Sequence, residues 1–527
     1  MNIVLTGFMG TGKTAIGKHL ARSLGMRYID TDRIIEKKEN CSISKIFAEK
    51  GEKYFRELET QIIRDVSSFN GYVISTGGGA ILRKENADAL KKNGYLVCLK
   101  ADPDTILDRI GDGEERPLLR GFANKKLRIQ QLLKKREPFY RQADIMIDTS
   151  SLSISRVVEE LVKLLSAETL QVRLDKNGYP VFVGLTIDNI GKIARDFKLG
   201  KKVLIISDRN VFPLYGERVR CSLEQCGFKT FFFQVPPGER SKSLTWVRKI
   251  YSFCLECSLD RSSSILALGG GVVGDLAGFV AATFLRGINL LMIPTTLLSQ
   301  VDSGVGGKVG VNLPQGKNLV GAFYQPKFVL IDPVVLRTLS LKRLKEGIAE
   351  VVKCAIIKDK DFFSYLEKNI QRVLDKNLFV LRSVIIRAVR IKIGVVEKDE
   401  KEKIGIRQIL NFGHTIAHAI ETVAGYRRYT HGDAVAIGII GASKLGVKLG
   451  IFPQESFARV EKLLKMAKLP LKGKNLDTQQ IIQALKKDKK VREGKVLFVI
   501  PEEIGRVSLK DDIPVNLVKQ VIEELVV

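Results

Sequence analysis

The sequence is poor in the features that would mark a disulfide scaffold, a membrane protein or a nucleic-acid reader. Seven cysteines in 527 residues are an odd number without framework spacing, which fits a reducing compartment rather than a disulfide-built domain. Cys221 with Cys226, and Cys254 with Cys257, fall in patterns that look helical and half-buried, and they read as ordinary thiols rather than zinc ligands. The most apolar stretch, Ile265 to Pro294, is broken by Asp275, Arg286 and several glycines and makes a poor membrane span. No leader segment is expected, because Asn2–Thr6 already reads as a strand entering a glycine loop. A cytoplasmic location is the expectation. Internal repeats and low-complexity tracts are absent.

Acidic residues are in deficit: 58 Asp and Glu against 86 Lys and Arg leave a formal net charge of +28. Such an excess often marks nucleic-acid or membrane partners. Here it comes without a helix-turn-helix, zinc-finger or RNA-binding motif. The basic residues are dispersed, as in Lys134-Lys135-Arg136 and the stretch Lys486 to Lys490. The excess reads as a solvated basic surface with a few cations available for anionic small molecules, so neither nucleic acid nor membrane is an expected partner.

Apolar content of 45% against 27% charged residues is the balance of a globular protein, and the length is too great for one ordinary core. Residues 1–165 alternate short apolar strands (Asn2–Thr6, Tyr72–Ser75, Tyr95–Leu99, Ile145–Ile147) with helical patterns, which predicts a parallel sheet with helices on both faces. A short polar joint, 166–171, ends this unit. An α/β pattern restarts over 172–340, with strands at Val203–Ser207, Thr230–Val235, Ser264–Leu268, Asn289–Pro294 and Phe328–Asp332. Over 341–527 helical patterns dominate, with one late strand at Val496–Ile500.

Gly7-Phe8-Met9-Gly10-Thr11-Gly12-Lys13-Thr14 is a complete phosphate-loop pattern, placed after a strand and opening a helix. Its glycines let backbone N–H groups turn inward around phosphates, and the helix N-terminus adds a positive end. Lys13 would reach the β- and γ-phosphates and Thr14 would hold Mg²⁺. Further along stand Asp30-Thr31-Asp32 at the end of a second strand, Arg56 with Glu59, the Gly77-Gly78-Gly79 turn, Arg116-Pro117-Leu118-Leu119, and Arg136 with Tyr140. Taken together, residues 1–165 resemble shikimate kinase. The resemblance implies that Gly10, Thr11, Gly12, Lys13, Thr14 and Ala15 bind ATP, with Arg109 lining the adenine. It implies that Asp32, Arg56, Gly78, Gly79 and Arg136 hold shikimate, and that Asp32 takes the hydroxyl proton. Asp30 would assist the Mg²⁺, and Arg116 would close with a lid over the transferring phosphoryl group. The chemistry agrees: a small carboxylate suits Arg forks, and phosphoryl transfer needs positioning and positive charge.

A second constellation follows. Pro236-Pro237-Gly238-Glu239-Arg240-Ser241-Lys242 and Gly269-Gly270-Gly271-Val272-Val273-Gly274-Asp275 each follow a strand, and the latter enters a helix, as a pyrophosphate loop does. Of the four histidines, His19 reads as a surface or packing residue, while His414, His418 and His431 are clustered. His414 and His418 are one helical turn apart and share a face. With Glu350 they offer a two-histidine, one-carboxylate zinc set with an open position. Ile293-Pro294-Thr295-Thr296, Gln300-Val301-Asp302-Ser303, Val305-Gly306-Gly307-Lys308, Gly316-Lys317-Asn318-Leu319 and Leu410-Asn411-Phe412-Gly413-His414-Thr415 complete the set.

From about residue 170 onward the chain resembles 3-dehydroquinate synthase. The resemblance implies a Rossmann-like NAD domain followed by a mostly helical metal domain. It implies NAD⁺ at Asp208, Asn210, Pro237, Gly238, Glu239, Arg240, Ser241, Lys242, Gly271, Val272, Val273, Gly274, Asp275, Thr295, Thr296, Lys308 and Lys317. Zn²⁺, with Co²⁺ as an alternative, would sit on Glu350, His414 and His431. The substrate, 3-deoxy-D-arabino-heptulosonate 7-phosphate, would be surrounded by Arg286, Asp302, Lys308, Asn318, Lys353, Lys392, Arg407, Asn411, His418 and Lys489, of which Lys308, Lys353, Arg407 and His418 would be catalytic. A homodimer through this half is also implied. The chain departs from the family pattern at Gly304, where a serine is usual, at Asp433, where a glutamate is usual, at Ala417, and by one extra residue between Glu402 and Arg407. Two rivals stand beside this reading: a different small-molecule kinase fused to a metal-dependent polyol dehydrogenase, or one half being a non-catalytic binding module.

Overall fold

In the computed structural model, residues 1–111, 118–119, 121–425, 428–486, 491–492 and 495–526 are described. They divide into two compact units, one of Met1–Ser166 with Asn377–Phe379 and one of Ala167–Lys376 with the residues from Val380 onward.

The first unit is a five-stranded parallel sheet ordered β2-β3-β1-β4-β5. Its strands are β1 (Asn2–Gly7), β2 (Arg27–Asp30), β3 (Tyr72–Ser75), β4 (Gly94–Lys100) and β5 (Ile145–Asp148). The strands are near-continuous Ile, Val and Leu because both sheet faces are covered. The helices are α1 (Lys13–Ser23), α2 (Thr31–Glu39), α3 (Ile43–Ser67), α4 (Lys84–Lys92), α5 (Pro103–Ile110), α6 (Lys125–Tyr140) and α7 (Ile154–Leu165). Asp30 pairs with Ser75 across β2 and β3, and Gly7 with Leu99 across β1 and β4. The phosphate loop, Asp30 and the Gly77–Gly79 turn therefore all emerge at the carboxyl edge of one sheet, where parallel α/β folds bind ligands.

The second unit holds a seven-stranded sheet ordered β6-β7-β14-β11-β10-β8-β9. Its strands are β6 (Glu168–Val172), β7 (Tyr179–Val183), β8 (Lys202–Asp208), β9 (Lys229–Val235), β10 (Ser264–Gly269), β11 (Asn289–Pro294) and β14 (Phe328–Ile331). Only the β6–β7 pair is antiparallel. A hairpin of β12 (Lys308–Leu313) and β13 (Gly316–Phe323) stands outside the sheet. Helices α8 (Ile190–Asp196), α9 (Phe212–Gln225), α10 (Leu244–Glu256) and α11 (Gly271–Thr283) connect the strands. The strand order reverses between β8 and β10, so Asp208 and the Gly269–Gly271 turn flank the switch point.

Four sequence expectations are corrected. The joint at 166–171 is mostly β6, which alternates buried Leu170 and Val172 with outward polar residues. No strand was read between Asn289–Pro294 and Phe328–Asp332, yet β12 and β13 form an antiparallel hairpin there, whose glycines and polar residues mask the alternation. The late strand runs Phe498–Glu503 and pairs with Arg506–Lys510, so the helical region also carries a hairpin. Of the four cysteines read as half-buried, Cys221 is exposed and Cys254 buried, while Cys226 and Cys257 are intermediate.

The remaining helices needed here are α12 (Leu341–Lys358), α13 (Lys360–Leu374), α14 (Leu378–Val396), α15 (His414–Val423) and α16 (His431–Lys448). Three of them touch backbone to backbone. A Cβ at Gly438 of α16 would fall on the carbonyl oxygen of Gly413, the residue capping α15. A Cβ at Gly432 would fall on Glu346 of α12, its distance to that residue's carbonyl oxygen being 2.8 Å. A side chain at either place must push two helices apart.

Gly438→Ala should therefore cost about 1–3 kcal/mol through overpacking. Gly394→Ala in α14, where an added Cβ meets nothing within 4 Å, should gain up to about 1 kcal/mol from helix propensity. Urea midpoints of the two variants check this, with opposite signs expected.

Candidate functional site

In the first unit, Gly10 (φ 76°) and Gly12 (φ 88°) occupy left-handed backbone that only glycine adopts freely. Gly12 caps α1 with no side-chain hydrogen bond, so the N–H groups of the first helical turn are left to a ligand. Lys13 Nζ donates to the Gly7 and Phe8 carbonyls at 3.0 and 2.9 Å. Thr14 Oγ1 donates to Asp30 Oδ2 at 3.0 Å, and the other Asp30 oxygen accepts the Asp32 N–H, capping α2. Arg109 donates to Thr149 Oγ1 at 3.0 Å and to the Thr149 carbonyl at 2.6 Å, beside the loop carbonyl of Gly10.

Asp32 Oδ1 and Glu59 Oε1 converge on Gly77, where a Cβ would lie 2.8 and 2.7 Å from them. Both oxygens are buried without a hydrogen-bond partner among the described residues. Burial pushes the Asp32 carboxyl up to about 7, and the neighbouring Asp30 and Glu59 carboxylates add to the rise. Glu59 is held by Arg56 at 2.7 Å. The Arg56 guanidinium closes on Gly79, 2.7 Å from where a Cβ would stand, and Arg136 Nη1 donates to the Gly78 carbonyl at 3.3 Å. Tyr140 donates to the same carbonyl at 2.8 Å. The triple-glycine turn thus lies between two guanidinium groups and two carboxylates. Glu59 was no member of the predicted site, though its place one turn beyond Arg56 could have signalled it. Arg116 lies outside the described residues, as does Lys489 in the second unit.

In the second unit, Asp208 Oδ1 accepts the Asn210 and Val211 N–H groups at the end of β8. Gly270 caps α11 without a side-chain hydrogen bond, and a Cβ at Gly271 would lie 2.9 Å from Ser303 Oγ. Lys242 is buried and bonded to both Asp275 and Asn318. Asn318 N–H donates to Asn312, whose amide donates to Glu239 at 2.9 Å. Thr295 and Thr296 follow Pro294, which pairs with Gly269 across β10 and β11. These residues ring one edge of the sheet. Arg286 does not join them. It follows the far end of α11 and precedes the amino end of β11, exposed and at φ 66°.

Glu350, His414 and His431 come together, with one ligand atom from each within 4.8 Å of the others. Glu350 Oε1 is 3.4 Å from His414 Nε2 and 3.5 Å from His431 Nε2. Glu350 is fully buried; its Oε2 is ion-paired with Lys353, while Oε1 faces the two imidazoles. A buried carboxylate oxygen turned toward two imidazoles fits a divalent ion of the zinc class. Burial would raise the Glu350 carboxyl, but Lys353 beside it and the two histidines hold it well below the ordinary value. Burial holds His414 well below the usual imidazole range, which leaves a lone pair for a ligand. Burial would also lower His431, but Glu350 and Glu421 outweigh it and raise it to about 10.

His418 packs edge-on against His414, ring centroids 5.6 Å apart. Lys392 Nζ reaches Asp302 Oδ1 at 2.5 Å, and Lys308 reaches Glu402 at 2.5 Å. Arg407 donates to the Gly306 carbonyl at 3.1 Å and the Glu400 carbonyl at 2.6 Å. Its loop is gathered by Asp399, whose carboxylate accepts the N–H groups of Lys403, Ile404, Gly405 and Arg407. Two departures from the family pattern can be placed in the structure. A Cβ at Gly304 would lie 2.6 Å from the Ser299 carbonyl, so serine does not fit this turn. Asp433 closes a capping box with Thr430 at the start of α16 and so fixes the entry of His431. Glu421 and Asp399 escaped the sequence reading. Glu421, two turns beyond His414 on α15, carried a spacing signal; Asp399 carried none.

Three family models match the chain in order: shikimate kinase over residues 9–166, 3-dehydroquinate synthase N-terminal over 232–346, and 3-dehydroquinate synthase C-terminal over 347–491. The 3-dehydroquinate synthase of Desulforamulus reducens is 48% identical over 347 residues, 66% of this chain and 96% of the relative. Among solved structures, 2-epi-5-epi-valiolone synthase from Streptomyces hygroscopicus with NAD⁺ and Zn²⁺ bound aligns at a TM-score of 0.62 and 27% identity, over 67% of this chain and 98% of that one. A 2-deoxy-scyllo-inosose synthase complexed with carbaglucose-6-phosphate, NAD⁺ and Co²⁺ aligns equally well, at 0.62 and 27%, over 68% and 100%. The chain belongs to the 3-dehydroquinate synthase family and carries a shikimate kinase domain ahead of it.

Proposed function

We propose that the two units run two reactions: ATP-dependent phosphorylation of shikimate in the first, and conversion of 3-deoxy-D-arabino-heptulosonate 7-phosphate to 3-dehydroquinate plus phosphate in the second. The observation that carries the second assignment is the buried Glu350 carboxylate, paired with Lys353 through one oxygen and facing His414 and His431 with the other. For the first it is the pair of partnerless carboxylate oxygens facing Gly77 between Arg56 and Arg136.

In the kinase unit, Asp32 is the base that receives the acceptor hydroxyl proton. Arg56, Arg136 and the Gly78–Gly79 backbone hold the acceptor, with the guanidinium groups reading its carboxylate. Lys13 leaves the Gly7 and Phe8 carbonyls for the phosphates, while Thr14 and Asp30 attend the Mg²⁺. Arg116 is assigned to the lid, and Arg109 to the nucleotide.

In the synthase unit, Glu350, His414 and His431 hold the divalent ion. NAD⁺ lies along the Asp208 and Gly269–Asp275 edge, with Glu239, Lys242 and the Lys317 hairpin beside it. When bound, NAD⁺ supplies a hydride acceptor that returns the hydride before product leaves, and Zn²⁺ or Co²⁺ supplies a Lewis acid. Lys353 stays charged: burial opposes this, but Glu350 and Asp302 raise it above its ordinary value. With Lys308, Lys392 and Arg407 it gives a sugar acid phosphate the cations its two anionic groups need, and Asn411 adds a neutral amide. His418, one turn from His414, moves protons near the departing phosphate. A density of cations this high favours this substrate over the uncharged polyol of a dehydrogenase. Pairing of two copies through the synthase unit and a cytoplasmic location complete the proposal. Among the described residues, no helix is long and apolar enough to cross a membrane.

Lys13→Met should abolish shikimate phosphorylation and spare phosphate release from the heptulosonate substrate, and His414→Ala should do the reverse. Loss of both activities in either folded variant would refute independent sites. Phosphate release should require NAD⁺, stop after chelation and return with Zn²⁺ or Co²⁺. Release that survives chelation or omission of NAD⁺ would rule out this mechanism.

The kinase pH profile follows from Asp32. A base must be deprotonated, so kcat/KM should fall as pH drops through about 7. Glu59→Gln removes a neighbouring negative charge and should move that acid limb to lower pH. An unmoved limb would show that Asp32 does not set it.

A further inference from the structure

We infer that Glu421 is a positioning residue for the metal ligand His431, facing ring nitrogen Nδ1 and leaving Nε2 to the ion. The inference rests on the metal-site reading above. His431 presents its two ring nitrogens to two different carboxylates. Nε2 lies 3.5 Å from Glu350 Oε1, on the side of His414, and Nδ1 lies 3.6 Å from Glu421 Oε1. The second distance is in ion-pair range, and a ring shift of about half an ångström closes it to a hydrogen bond. A ligating imidazole whose other nitrogen donates to a carboxylate has its tautomer and plane fixed, and it binds metal more tightly.

Local structure aims Glu421 at this task. It stands two turns beyond His414 on α15, so ligand and supporting carboxylate share one helix face. His431 is the first residue of α16, and Thr430 with Asp433 fixes the chain there. The two helices are locked at Gly413 and Gly438. Glu421 is only 7% exposed, a costly place for a charge without cationic company. Its company is His431 and, at 3.8 Å, Lys317 of the β12–β13 hairpin. The same hairpin carries Asn318, which takes Lys242 from the proposed NAD⁺ edge.

The test is Zn²⁺ affinity of the full chain, read by competition with a chromophoric chelator, together with the visible spectrum of the Co²⁺-loaded protein. Glu421→Ala should weaken Zn²⁺ binding about 10- to 100-fold and shift the Co²⁺ bands. Glu421→Gln, whose amide oxygen still accepts from Nδ1, should recover most of the affinity. Circular dichroism confirms folding, and His431→Ala serves as the reference. Parental affinity in folded Glu421→Ala, with loss in His431→Ala, would overturn the role given to Glu421. Equal weakening in the Ala and Gln variants with an unchanged Co²⁺ spectrum would also overturn it, reducing Glu421 to a distant charge. Parental affinity in His431→Ala would instead sink the metal-site reading on which the inference stands.

Discussion

The second unit depends on backbone-to-backbone contact between helices. Glu350, His414 and His431 sit on α12, α15 and α16, and no single helix can offer them in this arrangement. Their ligand atoms meet because Gly432 lets α16 rest on α12 and Gly438 lets it rest on the start of α15. A methyl group at either crossing would collide with the backbone of the neighbouring element and push the helices apart. The large aliphatic side chains around these crossings supply the burial energy, but the glycines decide where that energy brings the polar groups.

Charge then gives each buried carboxylate its character. Asp32 and Glu350 are both withdrawn from water, which favours the protonated acid in each case. Asp32 has carboxylates for neighbours and is driven toward neutrality, so it takes up a proton near neutral pH. Glu350 has an ammonium group and two imidazoles for neighbours and remains an anion. One residue chemistry thus yields a proton acceptor in the first unit and a proposed metal ligand in the second. The difference lies in the surroundings that the fold delivers.

Short strings of residues told much of this in advance. The phosphate loop, the glycine turn after Leu268 and the histidine pair on one helix turn are local patterns, and local patterns survive in sequence. Most parallel strands were equally plain, as apolar runs bounded by glycine or charge, but β7 at Tyr179–Val183 was not read. The β12–β13 hairpin was not, because its strands are glycine-rich and half-exposed. Asp399 and Glu421 were missed, and Glu59 was named beside Arg56 without a role, for another reason. Each matters through what a distant segment brings beside it: Gly77 for Glu59, and the His431 ring for Glu421. Asp399 gathers N–H groups only after the loop has folded around it. Arg286 shows the converse, since the family resemblance implied a place in the site and the topology sets it at the amino end of β11, away from the edge that carries the Gly269–Gly271 turn.

The converging triad has a consequence for the endurance of the protein as well as for its chemistry. An ion bonded to Glu350, His414 and His431 would join three helices far apart along the chain, and the unfolded chain offers no such cluster. It would therefore act as a reversible cross-link, stabilising the native state by about 2.7 kcal/mol when free metal stands at roughly one hundred times its dissociation constant. Metal supply would then govern how much of the synthase unit survives heat and proteolysis. Among its described residues the kinase unit has no such cluster.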